Sequence, residues 1–493
     1  MIRAITRNRQ FVLTPKQVIV GAFFFFVLNL ILRSLHLGHN PLSGDEPFTL
    51  YHAQMSPSVI ISELLKGNNP PLFELLLHYW IQLGDISVQW IRILPLIFSA
   101  LTAFFLFILA NKLKQGVFPF IVSLIYTFSV YHLQYAHEIR VYSLFGLLSV
   151  ISMLLYWKVW QEFAPFKMWI LLVLVNSLLI YSHYFGFFLL LIQTLAWFWD
   201  KDTRRHNVRN YLLYILAMIV LYTPLIPIVL QHFILSDNAG KTWLAPASSF
   251  EDLYNMLWKF SNKPVVTVIG IVIIVSAVVK YILDKNKSLM TATKLLITWF
   301  AISFFGMFLI SFKVPMYLDR YLIYGSFAYI LILVYALDYL FVNKKIYELS
   351  SLIVIVLFGA TFSLSQPTKR NAPHIADTVR QALAEKYAVV ICPREFTPAF
   401  LYYYDQKLFQ KWTVNPLYGN AIEELKAKNI FSVWNVDDIK QTNDKWLFID
   451  VAAALTVPQN GILNRFDTEF TRTNEIQLDE ITKGYYFRVK STE

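Results

Sequence analysis

The stretch LSGDEPFTLYHA, residues 42–53, follows an apolar run from Val18 to Leu32 and contains two adjacent carboxylates, Asp45 and Glu46. Ionised side chains are costly inside a membrane, so a pair this close to an apolar run is expected at a membrane surface. What the pair does depends on which surface it occupies and on which other residues share that surface.

The composition is that of an integral membrane protein. The chain has 493 residues, of which 56% are hydrophobic and only 15% are charged, and its mean hydropathy is +0.49. A soluble protein of this length would be far more polar. The formal net charge of +11 is distributed in short basic clusters between apolar runs, which favours contact with anionic lipids and argues against nucleic-acid binding. The single cysteine, Cys392, excludes an intramolecular disulfide.

Apolar runs predict a polytopic α-helical membrane domain, because about 20 mainly apolar residues are needed to cross about 30 Å of hydrocarbon. The eleven predicted spans are 17–35, 91–111, 117–134, 141–160, 167–182, 184–199, 211–232, 264–283, 294–312, 321–341 and 348–365. A shorter apolar run at 71–83 follows two prolines and predicts an interfacial or re-entrant helix.

Basic residues occur in every second connection between the predicted spans, which indicates the orientation of the chain. Arg3, Arg7 and Arg9 place the N-terminus in the cytoplasm, and the run KDTRRHNVR at 201–209 marks another cytoplasmic connection. An odd number of spans then puts the C-terminal segment outside the cytoplasm. The loop that carries Asp45 is predicted on that same extracytoplasmic side.

From about residue 368 the sequence becomes more charged and contains no run that could span a membrane, which predicts a small soluble α/β domain. Helical periodicity marks 376–387 and 422–429, and short apolar or alternating runs predict strands at 388–392, 445–452 and 484–490. The predicted domains are a transmembrane catalytic domain at 1–366, with a large first outer loop at 36–90, and an extracytoplasmic α/β domain at 367–493.

With this orientation, ionisable and polar groups from distant segments converge on the outer face. The candidate site residues are Asp45, Glu46, Asn69, Arg92, Glu138, Arg140, His183, Arg320 and Tyr321. Several also have purely structural interpretations. Asp45 could be a loop carboxylate or a helix cap, Glu138 and Arg140 a surface ion pair, Arg320 a side chain that extends to the headgroups, and His183 a packed histidine.

Six ordered segments resemble the bacterial GT-C glycosyltransferases of family 39 and the aminoarabinose-transferase-like group, which is similar to the protein O-mannosyltransferases. The resemblance covers about residues 1–365. The segments are GDEPFTLYHA (44–53), NNPPLFELLLHYWIQLG (68–84), SVQWIRILPLIFSALT (87–102), HEIRVYSLFGLLSV (137–150), SHYFGFFLLLIQ (182–193) and PMYLDRYLIYGSFAYILIL (315–333).

The resemblance implies a multi-pass enzyme of the bacterial inner membrane that uses a polyprenyl-phosphate-linked sugar as donor. The acceptor would be a lipid, a glycan or a protein. Carried onto this sequence, the acidic pair at the reaction centre is Asp45 and Glu46, with Asp45 as the base and Glu46 orienting the acceptor or sharing the proton. An inverting transfer is implied by the likeness. The family usually has His or Lys before the double proline, whereas this chain has Asn69, which brings no charge.

The chemistry of glycosyl transfer assigns roles to the other candidates. Arg320 and Arg140, and less directly Arg92, suit the donor phosphate, because guanidinium groups stay charged and bind phosphate through paired hydrogen bonds. Glu138 would orient Arg140, and His183 would contact sugar or acceptor. No cofactor is required, although Mg²⁺ or Mn²⁺ could bridge the acidic pair and the phosphate.

Two other classes of protein remain open at this point. A transporter or flippase for a lipid-linked sugar would place ionisable groups near the middle of the membrane and would show repeated halves. An O-antigen ligase or polymerase would use a similar lipid donor in another architecture.

Overall fold

The computed structural model describes residues 12–67, 70–161, 164–198, 201–231, 249–284, 291–365, 370–410, 419–440 and 442–490. The chain forms two compact units, and the loop predicted to lie outside, 36–90, is divided between them. The first unit comprises Met1–Leu37, Ser58–Leu76 and Arg92–Leu364, and the second comprises Gly38–Pro57, Leu77–Ile91 and Ser365–Glu493. The predicted domain boundary at residue 366 stays a prediction.

Helices dominate the part of the chain before residue 365. They are α1 Pro15–Ser34, α2 Glu46–Ala53, α3 Pro57–Leu64, α4 Leu72–Gln82, α5 Val88–Leu113, α6 Phe118–Thr127, α7 Val130–Ala136, α8 Tyr142–Gln161, α9 Phe166–Ser182, α10 Gly186–Trp197, α11 Lys201–Tyr222, α12 Ile226–Leu230, α13 Phe250–Phe260, α14 Pro264–Leu283, α15 Thr291–Ala301, α16 Met307–Ser311, α17 Ile323–Leu340 and α18 Lys344–Ala360.

Each predicted span coincides with a helix or with consecutive helical segments, and the predicted interfacial helix coincides with α4. Among the described residues, seven helices are long and apolar enough to cross a membrane. They are Pro15–Ser34, Val88–Leu113, Tyr142–Gln161, Val208–Leu230, Pro264–Leu283, Thr291–Ser311 and Asp319–Leu340. Shorter apolar helices cover Phe118–Thr127, Phe166–Ser182 and Gly186–Trp197.

Apolar side chains also cover the outward faces of these helices, as expected where lipid replaces water. On α14 the exposed residues Val268, Val272, Val275 and Val279 recur at spacings of four, three and four, which places them on one side of a helix. The opposite side of α14 packs against α17, where Gly270 leaves room for the Tyr329 hydroxyl. A soluble protein would not expose such an apolar stripe.

The third predicted span is interrupted, and Asn262 completes the hydrogen bonding at the interruption. Helix α6 ends at Thr127 and α7 begins at Val130. The Asn262 side-chain amide donates to the Phe128 carbonyl at 2.8 Å and accepts from the Val130 N–H at 2.8 Å. It also donates to the Phe358 carbonyl at 3.3 Å. One side chain therefore satisfies backbone groups that would be costly to leave unpaired in a membrane.

Arg33 supports the same interruption from α1. Its guanidinium is fully buried, donates to the carbonyls of Tyr126 at 2.7 Å and His132 at 3.3 Å, and also donates to the Ser99 hydroxyl. The last carbonyls of a helix carry partial negative charge and need donors. Arg33 supplies both a donor and a positive charge at the end of α6.

A closed network of polar side chains joins α8, α9, α10 and α11. The fully buried Asn176 donates to Gln193 Oε1 at 3.0 Å and to the Tyr214 hydroxyl at 2.8 Å, and it accepts from the Ser152 hydroxyl. Gln193 donates to Ser152 at 2.7 Å, which closes the ring. Hydrogen bonds between apolar helices hold them in a fixed register.

The second unit contains a five-stranded sheet of order β2-β1-β3-β5-β4. Strand β1 pairs in parallel with β2 and β3, whereas β5 is antiparallel to β3 and β4. Trp446, Phe448, Phe466 and Phe487 form the centre of its core. The elements are α19 Ala372–Ala384, β1 Ala388–Cys392, α20 Thr397–Tyr404, α21 Gln406–Gln410, α22 Gly419–Ala427, β2 Ile430–Ser432, β3 Lys445–Val451, α23 Ile462–Glu469, β4 Phe470–Gln477 and β5 Thr482–Val489.

The predicted strands correspond to β1, β3 and β5, and the predicted helices to α19 and α22. The same unit includes two parts of the predicted first outer loop, Gly38–Pro57 and Leu77–Ile91. Helix α2 packs against α20, and the Leu42 N–H donates to the Tyr403 hydroxyl at 2.7 Å. The Tyr402 hydroxyl donates to the Ile86 carbonyl at 2.7 Å. The loop that carries Asp45 is therefore built into the α/β unit.

Candidate active site

In the first unit, the turn between α7 and α8 and a short 3₁₀ turn before α17 carry two of the three predicted arginines. Arg140 follows Glu138, and the Arg140 N–H donates to the Glu138 carbonyl at 2.7 Å. Arg320 lies in the 3₁₀ turn Asp319–Leu322. Glu138, Arg140, Arg320 and Tyr321 all lie within electrostatic range of the Tyr142 hydroxyl. The structure thus gathers four predicted residues that are up to 183 positions apart in sequence.

His183 belongs to this group. It lies in the turn between α9 and α10, stacks on Phe145 with a ring-centroid distance of 4.9 Å, and contacts the Tyr321 ring at 5.4 Å. Burial lowers its pKa to about 3, with Arg140 and Arg320 adding to the effect. The Phe185 N–H donates to His183 Nδ1 at 3.2 Å. A neutral ring therefore carries its proton on Nε2 and can offer it to a polar ligand.

The turn that carries Arg320 is held at both ends by other elements. Asp319 forms an ion pair with Lys259 at 2.5 Å and accepts from the Arg320 N–H at 2.9 Å. The Tyr131 hydroxyl donates to the Asp319 carbonyl at 2.5 Å. The Arg320 guanidinium itself lies 5.4 Å from the centre of the Tyr321 ring, within the range of a cation–π contact.

Arg92 is buried near the ends of α1 and α7. Its Nη1 donates to the Leu37 carbonyl at 3.2 Å, and His137 Nε2 lies 2.6 Å from the Arg33 carbonyl oxygen. Burial lowers the pKa of His137 to about 4, and the charges of Arg92 and Arg33 contribute. Arg92 and Arg33 therefore both lie within electrostatic range of His137. The sequence analysis identified only Arg92, because Arg33 lies within the apolar run that forms α1.

The acidic pair lies in the second unit, and its two members have different surroundings. Glu46 is buried, and its Oε2 accepts from the Ser43 N–H at 3.0 Å. Asp45 is exposed and occupies the residue before α2, yet its side chain makes no helix-capping hydrogen bond. Glu46 thus helps to fix the loop, whereas the carboxylate of Asp45 is not used as a cap.

Two ionisable residues of the α/β unit were missed by the sequence analysis: Arg370, which lies within electrostatic range of Asp45, and Glu395, which lies within electrostatic range of Arg370. Burial lowers the pKa of Arg370, while the charges of Asp479, Asp45 and Glu395 act in the opposite direction. Burial raises the pKa of Glu395, and Arg370 opposes that shift. Arg370 follows a basic stretch that resembles a simple linker, so the sequence contained no signal of this placement.

Asn69 lies outside the described residues, so its predicted contact stays a prediction. Within the described ranges, no group of three or more His, Cys, Asp or Glu side chains is arranged to hold a metal ion. The second unit also has a cleft of about 360 Å³ lined by Gly38–Pro41, Asn371 and Tyr403. One of the residues that line this cleft, Asn371, directly follows Arg370 in the sequence.

No protein-family model matches the sequence, and no curated protein matches it. Among solved structures, ArnT from Cupriavidus metallidurans bound to undecaprenyl phosphate is similar, with 10% identity, coverage of 95% of this chain and 98% of that chain, and a TM-score of 0.54. An oligosaccharyltransferase from Archaeoglobus fulgidus tethered to an acceptor peptide aligns at 10% identity over 96% of this chain and 74% of that chain, with a TM-score of 0.49.

At this identity the match to ArnT shows a shared fold. The chain therefore has the GT-C fold, a multi-pass helical membrane part followed by a small α/β domain, and the predicted fold class is confirmed. The apo form of ArnT aligns with a TM-score of 0.44, at 12% identity over 95% of this chain and 98% of that chain.

Proposed function

We propose that this protein is a glycosyltransferase that moves a sugar from a polyprenyl-phosphate donor to an extracytoplasmic acceptor. The main support is the fold shared over 95% of the chain with ArnT, whose structure holds undecaprenyl phosphate. Membership of family 39 or of the aminoarabinose-transferase-like group is part of the proposal and rests on the six sequence segments. The sugar is a hexose or a pentose, and the acceptor is a lipid, a glycan or a protein.

In the proposed reaction, Asp45 accepts the proton of an acceptor hydroxyl as the oxygen attacks the anomeric carbon. The bond from that carbon to the donor phosphate breaks, and polyprenyl phosphate leaves with the electron pair. Attack opposite the phosphate inverts the anomeric centre. Glu46, which accepts a hydrogen bond from the Ser43 N–H, keeps the loop in place for Asp45.

Arg140 and Arg320 are proposed to bind the phosphate and to stabilise the charge that develops on it. The support is their grouping with His183 and Tyr321 in the first unit. His183 would donate from Nε2 to a hydroxyl of the sugar or the acceptor, and Glu138 would orient Arg140. With two guanidinium groups at the phosphate, the proposal requires no divalent cation, and a chelator should leave transfer unchanged.

The experiment is a transfer assay with purified protein in lipid, a panel of radiolabelled polyprenyl-phosphate sugars, and the variant Asp45→Asn. We expect product with at least one donor and loss of at least roughly 100-fold in the variant, which is the scale of general-base catalysis. Asp437→Asn, a change at an exposed aspartate of the α/β unit, is the matched control. Translocation of donor without product would favour the flippase, and full activity of Asp45→Asn would remove Asp45 from the mechanism.

The proposal also requires a cytoplasmic N-terminus and an extracytoplasmic first loop and α/β unit. Because Cys392 is the single cysteine and is buried, a cysteine placed at the exposed Leu83 would be a unique reporter. A membrane-impermeant thiol reagent should label Leu83→Cys in intact cells. Labelling only after the inner membrane is opened would contradict the proposed orientation.

A further inference from the structure

A polar cleft of about 580 Å³ lies in the second unit, at the end of α2 that is opposite to Asp45. Its volume is within the range of about 300 to 1,000 Å³ that small-ligand sites occupy. Three segments line it, namely the residue that ends α2, the stretch from the end of α4 to the start of α5, and α21. Its side-chain amides and its carboxylate belong to Gln54, Gln82, Gln406, Gln410 and Asp85.

Hydrogen bonds and close packing fix the stretch between α4 and α5 that forms one wall of this cleft. The Trp80 and Trp90 rings stack with a centroid distance of 4.8 Å, and each indole N–H donates to the carbonyl of the other residue, at 2.9 and 3.2 Å. Gly84 lies against the Trp90 ring, where a Cβ would have no room. The Tyr402 hydroxyl of α20 donates to the Ile86 carbonyl at 2.7 Å. The wall is therefore preformed, as is usual for a ligand site.

The polar groups in this wall are oriented by their neighbours and retain hydrogen-bonding capacity. His78 Nδ1 lies 2.8 Å from the Ala53 carbonyl oxygen and must donate to it, so His78 Nε2 accepts from Gln82 Nε2 at 2.7 Å. That bond holds the Gln82 amide in one orientation. Asp85 Oδ1 accepts from the Ser87 N–H at 2.8 Å, and a carboxylate has about four acceptor positions. Both side chains can therefore bind a ligand without giving up their present partners.

The chemistry of the lining matches the hydroxyl groups of a neutral glycan. A side-chain amide combines an acceptor oxygen with two donor hydrogens, and a carboxylate can accept from two neighbouring hydroxyls. Among the described lining residues none is Lys or Arg, so the cleft supplies no cation for a phosphate or another anion. Its apolar side chains are those of Ile81 and Ile86, which offer too little apolar area for an acyl chain.

We propose that this cleft is an acceptor subsite that binds the neutral glycan part of the acceptor, an inference that rests on the proposed function. Helix α2 separates the cleft from Asp45, and with eight residues it is about 12 Å long. A monosaccharide is shorter than this. An acceptor that fills the cleft and presents a hydroxyl to Asp45 therefore has several sugar residues. Binding of its distal residues would hold the reacting hydroxyl in place.

The first test measures binding of neutral tetrasaccharides to the full-length protein in lipid nanodiscs by isothermal titration calorimetry. The probes are maltotetraose, mannotetraose and chitotetraose, and we expect at least one to bind. Asp85→Asn keeps an acceptor for the Ser87 N–H but loses the charge, and it should weaken binding by roughly 10-fold. Gln406→Ala should weaken binding by roughly 3- to 10-fold. Gln381→Ala changes an exposed glutamine of α19 outside the cleft, and this control should bind as wild type.

Several results would overturn the subsite. They are absence of binding by all three tetrasaccharides, equal binding by wild type and both variants, and binding of only a tetrapeptide or a phosphorylated tetrasaccharide in the same assay. Asp85 and Gln406 are both exposed, so neither change removes a core side chain. If Asp85→Asn does not fold, Gln406→Ala decides.

The second test uses the tetrasaccharide that binds most tightly as acceptor in the transfer assay. Gln406→Ala should raise the acceptor KM by roughly 3- to 10-fold and leave kcat and the donor KM unchanged, because a contact far from the reacting atoms is made equally in the ground state and the transition state. A raised donor KM at an unchanged acceptor KM would contradict an acceptor role.

These outcomes can be distinguished from failure of the proposed function. If product forms but no tetrasaccharide binds, the acceptor subsite is wrong and the proposed function stands. If a tetrasaccharide binds and both variants weaken its binding, yet no donor gives product, the proposed function is wrong. The cleft then remains a glycan-binding site, and its acceptor role is wrong with the function.

Discussion

Replacing Asn176 by Leu should destabilise the membrane part measurably, because Asn176 makes three hydrogen bonds in a fully buried ring. The change removes its bonds to Gln193, Tyr214 and Ser152. Hydrogen bonds between transmembrane helices contribute about 0.6 kcal/mol on average and about 1.7 kcal/mol at most. For three bonds the expected loss in the free energy of unfolding is about 2 to 5 kcal/mol.

The assay is reversible unfolding in mixed micelles, followed by helical circular dichroism, with Ser177→Ala as the control. Ser177 is the next residue on α9, and its hydroxyl donates only to a carbonyl of its own helix among the described residues. Its loss should change the free energy of unfolding by less than about 0.5 kcal/mol. Equal effects of Asn176→Leu and Ser177→Ala would refute the idea that the ring holds the four helices together.

A double-mutant cycle sharpens this prediction. If the ring acts as a unit, Asn176→Leu and Tyr214→Phe should not be additive, because each removes partners of the other. A coupling energy of at least about 0.5 kcal/mol is expected for residues in one network. Additive effects would show that Asn176 acts alone.

Three further predictions concern other parts of the molecule. Asn262→Ala should lower the free energy of unfolding by about 2 to 4 kcal/mol, because buried backbone groups at the α6–α7 interruption lose their partner, and the same micelle assay measures it. Lys259→Met should raise donor KM and lower kcat, because the ion pair to Asp319 that holds the Arg320 turn is lost and Arg320 is proposed both to bind the phosphate and to stabilise its developing charge; unchanged values of both constants would count against a phosphate role for that turn. Phe448→Ala should destabilise the α/β unit by about 3 to 5 kcal/mol, since it removes a fully buried core ring, and limited proteolysis after residue 370 should reveal this as faster cleavage.

The sequence predicted the helices well and their interruptions poorly. Length and hydropathy define a span, so α1, α5, α8, α14 and α17 lie close to their predicted ranges. The break after Thr127 has no proline or glycine to mark it. It exists because Asn262, more than 130 residues later in the chain, replaces the missing backbone partners. Local patterns do not contain such long-range compensation.

The same limit applies to the candidate site. Charged residues at the ends of apolar runs identified Arg140, His183 and Arg320, since orientation alone brings span ends to one face. Arg370 could not be recognised this way, because only the folded α/β unit brings it within electrostatic range of Asp45. Strand β2 was also missed, because three residues are too few to show alternation.

The amide of Asn262 ties together three stretches of chain that are far apart in sequence, and this has an evolutionary consequence. A carboxylate at residue 262 could not donate a hydrogen bond to the Phe128 carbonyl, and an alkyl side chain could neither donate to it nor accept from the Val130 N–H. Substitution of Asn262 should therefore be tolerated only when residues 128–130 change in the same lineage. Related chains that regain an uninterrupted helix at 128–130 should therefore have abandoned asparagine at the position equivalent to 262.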